Sequence, residues 1–161
     1  MHYAPPLAAL ALIALASPAK ADFPVSPLLD IYESYNDCFK VATDDGLKPE
    51  VLGTLGWVRA TLTKDGKPVP DGPIIYGNPK RKPAIFLSAE RGSGSCMVVA
   101  RLESEAAFEQ FKSAWGGKLP PPNAKGEIIF FAEGRPVQLT KGGTSDKPAL
   151  TIAVMTPMEK K

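Results

Sequence analysis

Apolar residues recur at three- and four-residue steps through Leu28, Ile31, Tyr32, Tyr35, Cys38, Phe39 and Ala42. This is the spacing of one helix face. Ser26-Pro27 stands just ahead of the stripe, which predicts Ser26 as the cap and Pro27 in the first turn. Asp30, Glu33 and Asp37 fall on another face. They read as a solvated edge rather than a cation site, because a straight stripe cannot wrap a metal. Asp44-Asp45-Gly46 breaks this helix and lacks the further ligands of a calcium loop. Pro49 opens a short second helix through Val51, Leu52 and Leu55, with Gly56 as its left-handed cap. Trp57 then reads as a core anchor.

From Trp57 the period changes from helical to alternating. Residues 57–62 read as a strand ending at the turn signal Asp65-Gly66. Residues 63–83 are rich in Pro and Gly, with a short strand at Ile74-Ile75-Tyr76 and the basic run Lys80, Arg81 and Lys82, a candidate contact for an acidic partner. Residues 84–88 and 96–102 read as strands joined by a flexible glycine-rich hairpin loop at 90–95. That loop is a poor phosphate cradle, because a strand comes after it instead of a helix N-terminus. Ser104 caps a helix with Ala107, Phe108, Phe111 and Trp115 on its buried side, and Gly116-Gly117 ends it. A Pro-rich loop spans 118–126. Residues 128–131 and 137–140 form a hairpin around Glu133-Gly134, and residues 150–155 make a final strand.

The amino-terminal segment has a different pattern. An unbroken apolar run, Leu7 to Ala16, precedes Ser17-Pro18-Ala19-Lys20-Ala21. This reads as a signal peptide over 1–21, cleaved after Ala21. Ten apolar residues are too few to span a bilayer, which takes roughly twenty, so no integral membrane anchor is expected. The sequence organisation is therefore a signal peptide at 1–21, a single domain at 22–156 and a disordered tail at 157–161. The expected location is the periplasm or the medium.

Cys38 and Cys96 are the only cysteines. An oxidising compartment predicts a disulfide between them. It would close a loop of about 60 residues, for which chain entropy gives about 4 kcal/mol.

Charge and composition remove several functions. The chain carries 19 Lys and Arg against 17 Asp and Glu, too balanced for a nucleic-acid partner. Its one histidine is His2, inside the signal segment. Catalysis by Ser-His-Asp or Cys-His within the exported chain is thus excluded, as are ordinary histidine metal and haem sites. No Gly-x-Ser-x-Gly elbow, P-loop, dinucleotide fingerprint or Cys-x-x-Cys occurs. No catalytic residue, cofactor or metal ligand is assigned.

The element order predicts an α+β fold: an antiparallel β-sheet with helices packed on one face, the first helix tethered by the disulfide. The two-strand, helix, three-strand order is similar to that of profilin and PAS domains, in order alone. The Gly56-Trp57 step, the two cysteines, and the run Gly94 to Ala100 before the Phe-bearing helix resemble small uncharacterised exported proteins of alphaproteobacteria. The resemblance covers most of residues 35–155 and implies export, with no activity to transfer. The functional expectation is a monomeric, non-catalytic binding or accessory protein with an envelope protein or small ligand as partner. Its contact loops would be 63–83 and 118–126. A small-molecule sensor or carrier, with a pocket between the sheet and the Phe108/Phe111 helix, is the first alternative. A histidine-free envelope hydrolase using paired carboxylates is the second.

Overall fold

The computed structural model describes residues 23–90 and 93–157; the expected signal segment and all but the first residue of the expected tail lie outside them. The elements run α1 (Leu28–Val41), β1 (Ala42–Thr43), β2 (Gly46–Leu47), α2 (Glu50–Thr54), β3 (Val58–Arg59), β4 (Thr63–Lys64), β5 (Lys67–Pro68), β6 (Ile74–Asn78), β7 (Arg81–Glu90), β8 (Ser93–Arg101), α3 (Glu105–Ser113), β9 (Glu127–Ala132), β10 (Arg135–Gly143) and β11 (Pro148–Met155). Seven strands form one antiparallel sheet in the order β3-β6-β7-β8-β11-β10-β9. With its helices this is the α+β class read from the pattern.

Alternation fixes which side of each strand is buried. Register places Tyr76, Ile85, Val98, Ile152, Leu139 and Ile128 in one row across six strands. Ile74, Leu87, Cys96, Val154, Val137 and Phe130 make the next row. These rows are the core, with Val98, Ile152 and Val154 wholly inaccessible. The other side of the sheet carries Ile75, Phe86, Met97, Gln138 and Ile129, each at least partly exposed.

Cys38 of α1 is joined to Cys96 of β8 across a Cα separation of 5.3 Å and 58 sequence positions. Both cysteines are fully buried. The bridge therefore fastens α1 to the core side of the sheet. Aromatic contacts carry the join to α3 and β9. Tyr32 stacks on Phe111 at 4.7 Å, Phe111 meets Trp115 at 5.2 Å, and Trp115 meets Phe130 at 5.6 Å. Tyr32 also donates its hydroxyl to the Phe111 carbonyl at 2.8 Å.

Several local expectations are corrected. Ser26 does not cap α1: Pro27 is the cap residue and no side chain bonds there. The Ser26 amide instead donates to the Arg101 carbonyl at 2.9 Å, which turns the buried serine toward the sheet. Residues 42–47 leave α1 as a small hairpin, β1–β2, around Asp44-Asp45. Strand pairing after Trp57 covers only Val58 and Arg59. The Ala60 amide still donates to the Ile75 carbonyl at 2.8 Å, but Pro73 beyond it has no amide to continue the ladder, and residues 61–73 leave as the β4–β5 arm.

The Gly-rich join is mostly strand, because β7 and β8 run on to Glu90 and Ser93. Gly94 serves a close approach there: a Cβ on it would lie 2.7 Å from Leu47. Gly56 does take a left-handed φ of +85° after α2. Glu133 and Gly134, both at positive φ, make the two-residue turn that the twist of a hairpin favours. No helix among the described residues is long and apolar enough to cross a membrane.

Candidate functional site

Helix α3 presents Glu105, Phe108, Glu109 and Lys112 along one stripe, three and four residues apart. Its start is fixed by Ser104, whose hydroxyl accepts from the Ala107 amide at 3.3 Å. Phe108 is nearly buried and Phe111 wholly so. The space between α3 and the sheet is thus occupied by these rings, and the recess lies along the helix margin. One open recess of about 440 Å³ runs from the Glu105–Lys112 stripe to Pro122, Lys125, Ile128 and the Lys141–Ser145 segment. A second, of about 460 Å³, continues past Ser113 and Gly117 to Leu119, Pro120 and Pro121. Both share Glu109, Lys112, Pro122 and Ile128, so they form one trough. Each part falls in the usual size range of ligand sites, roughly 300–1,000 Å³.

The walls are set by local chemistry. Gly116 and Gly117, both at positive φ, turn the chain away from α3, and Pro120, Pro121 and Pro122 stiffen the next segment. Asn123 then organises the return into β9. Its Oδ1 accepts from the Lys125 and Glu127 amides at 2.9 and 3.0 Å, and its Nδ2 donates to the Glu127 carboxylate at 3.0 Å. On the opposite wall, Gly143 has φ +74°, and a Cβ there would lie 2.1 Å from the Lys147 carbonyl. Only glycine suits that position. Lys141 lies opposite Leu150 in the register, which places it on the core side of the sheet and toward α3.

The floor is apolar and the rim is charged. Lys112 pairs with Glu109 at 2.8 Å, and its ammonium sits 5.3 Å from the centre of the Phe108 ring. Lys141 pairs with Glu105 at 3.1 Å. Lys125 has no carboxylate within ion-pair distance among the described residues. The trough therefore offers one uncommitted amine beside Phe108, Ile128 and the prolines.

Two of the hydroxyls that line the trough are already engaged. Ser113 spends its hydroxyl on the Gln110 carbonyl at 2.6 Å. Thr144 donates to Asp146 at 2.6 Å, and this bond, with one from the backbone, holds the Asp146 carboxyl below its ordinary range. A carboxylate stabilised in its charged form is a weakened base. Among the described residues, no three His, Cys, Asp or Glu side chains gather as a metal site.

The basic run lies elsewhere, at the β6–β7 turn. Lys80 and Lys82 are exposed, but Arg81 is turned inward. Its Nε meets Glu33 at 3.2 Å, and its guanidinium also bonds Asp37. The Lys82 amide donates to Asp30 at 3.0 Å. The acidic side of α1 is thus a docking strip for this hairpin, which corrects its reading as a solvated face. Asp37 is buried, because Trp57 and Arg81 supply the donors its carboxylate would lose on leaving water. The expected loop 118–126 does contribute to the trough. The arm within 63–83 forms a separate recess of about 310 Å³ between Arg59–Leu62 and Pro68–Pro73.

No protein-family model, curated protein or solved structure matches this chain. The trough and its residues therefore stand on geometry alone.

Proposed function

We propose that this is an exported, non-catalytic binding protein of the cell envelope, and that the α3 trough is its contact surface. The carrying observation is the shared lining of the two recesses. A continuous apolar floor with a charged rim suits an extended, amphipathic ligand, such as a short peptide with an acidic group for Lys125. The buried Cys38–Cys96 bridge supports an oxidising location.

Amide chemical shifts, followed while short acidic-apolar peptides are titrated in, test the proposal. The expected response is confined to residues 105–112, 119–128 and 141–145, and is weakened by Lys125→Glu with no change in melting temperature. Shifts confined to residues 61–73 would move the binding surface to the arm. Silence across all peptides and small amphiphiles would remove the proposal.

A further inference from the structure

Strand β9 ends the seven-stranded sheet, with β10 as its one neighbour among the described residues. The two-residue turn at Glu133-Gly134 sets the phase of the β9–β10 ladder. Ala132 and Arg135 close the turn, and Phe130–Val137 and Ile128–Leu139 repeat that pairing. In such a hairpin the backbone groups of these residues bond across the ladder, and those of the residues between point away from it. Glu127, Ile129 and Phe131 therefore face the open edge. At Glu127 the edge is closed: its amide donates to Asn123 Oδ1 at 3.0 Å and its carbonyl accepts from the Asn123 amide at 2.9 Å. At Ile129 and Phe131 no described loop supplies a backbone partner.

The exposed edge also lacks the usual protections. Residues 128–132 read Ile-Ile-Phe-Phe-Ala, with no charge and no proline, and their register with β10 is unbroken. Natural edge strands are commonly guarded by one of those devices. Ile129 is 46% exposed and Phe131 is 75% exposed, and both point to the same side of the sheet. The opposite edge, β3, is only two residues long.

We propose that β9 pairs antiparallel with β9 of a second copy, about a two-fold axis through Phe130. In this register Ile129 of each copy faces Phe131 of the other. Those are the residues whose amides and carbonyls are open, so four backbone hydrogen bonds form and none of these groups is left over. Both exposed apolar side chains gain a cross-strand partner. The strand is self-complementary about Phe130, which is why a second copy fits it without any other sequence. Asn123 already fills the place opposite Glu127, so the pairing is confined to residues 128–132 of each copy. A contact of this length covers less than the roughly 1,200 Å² of a standard interface, so the dissociation constant should be micromolar or weaker.

Sedimentation equilibrium of the oxidised protein is the first measurement. The expected result is a monomer–dimer equilibrium that is lost in Phe131→Lys and is retained in Val58→Lys. Register is tested by oxidising single-cysteine variants, both at exposed positions. Ile129→Cys mixed with Phe131→Cys should cross-link, because facing residues lie about 5.5 Å apart, within disulfide reach. Each variant alone should cross-link poorly. A monomer at every concentration, a dimer indifferent to Phe131→Lys, or preferred cross-linking within one variant would each overturn the proposal.

Discussion

The indole N–H of Trp57 donates to Oδ2 of Asp37 at 2.9 Å, across twenty sequence positions, with both side chains buried. This bond ties the segment just after α2 to the carboxy-terminal half of α1. Arg81 reaches the same carboxylate from the β6–β7 turn, and Lys40 meets its other oxygen at 3.3 Å. One carboxylate thus joins two helices and the sheet.

Removing Asp37 should leave a mostly buried guanidinium and an indole N–H without their acceptor. Breaking one side of a buried ion pair typically costs about 3–5 kcal/mol. Asp37→Ala is expected near the lower end, because Arg81 retains Glu33 and some solvent contact. Urea unfolding should show the lower midpoint. Adding Arg81→Met should cost less than the separate effects predict. Strict additivity would show that the two groups act independently.

The disulfide should contribute on a similar scale. Paired Cys38→Ser and Cys96→Ser is expected to destabilise by up to about 4 kcal/mol through loop entropy, with an added penalty for two buried hydroxyls. In the native, non-reduced protein neither sulfur should react with a maleimide. Reaction at both positions would rule out the bridge.

Elements governed by local pattern were the legible ones. The α1 and α3 stripes, the Glu133-Gly134 hairpin and the Cys38–Cys96 pair each follow from spacing, turn chemistry or the presence of only two cysteines. Features that escaped the sequence depend on distant partners. Asp37 lies on the polar side of the α1 pattern, and its burial is decided by Trp57 and Arg81. Arg81 looks like part of an exposed basic run until the β6–β7 turn aims it at α1. The trough is built from three separated segments, and only two signals for it were visible: the Pro-rich loop and the α3 stripe. The placement of β8 beside β11, which makes β9 an edge, has no local signature.

Two glycines should respond in opposite directions. Gly143→Ala places a Cβ against the Lys147 carbonyl at a positive φ, and strain of this kind costs about 1–3 kcal/mol. Gly53, inside α2, has no positive φ, and a Cβ on it would meet only open space. Gly53→Ala should stabilise by about 0.5–1 kcal/mol. Melting temperatures of the two variants check both signs, and Gly143→Ala should also distort the trough wall.

Alkaline pH should weaken the fold through two tyrosines. Burial raises the Tyr35 phenol well above its ordinary value, and the Glu133 charge adds to the effect; burial also raises Tyr32. In the unfolded chain both phenols ionise near pH 10, while in the folded protein they hold their protons to higher pH. The folded state then binds more protons, so stability is fully present below about pH 10 and falls as pH rises beyond it. Each group can contribute a slope of at most about 1.4 kcal/mol per pH unit. Urea midpoints measured from neutral to strongly alkaline pH should decline accordingly. Tyr35→Phe should flatten the decline, and Glu133→Gln should flatten it less, because burial outranks the carboxylate as a cause. An unchanged profile in Tyr35→Phe would show that this phenol ionises as readily in the folded protein as in the unfolded chain.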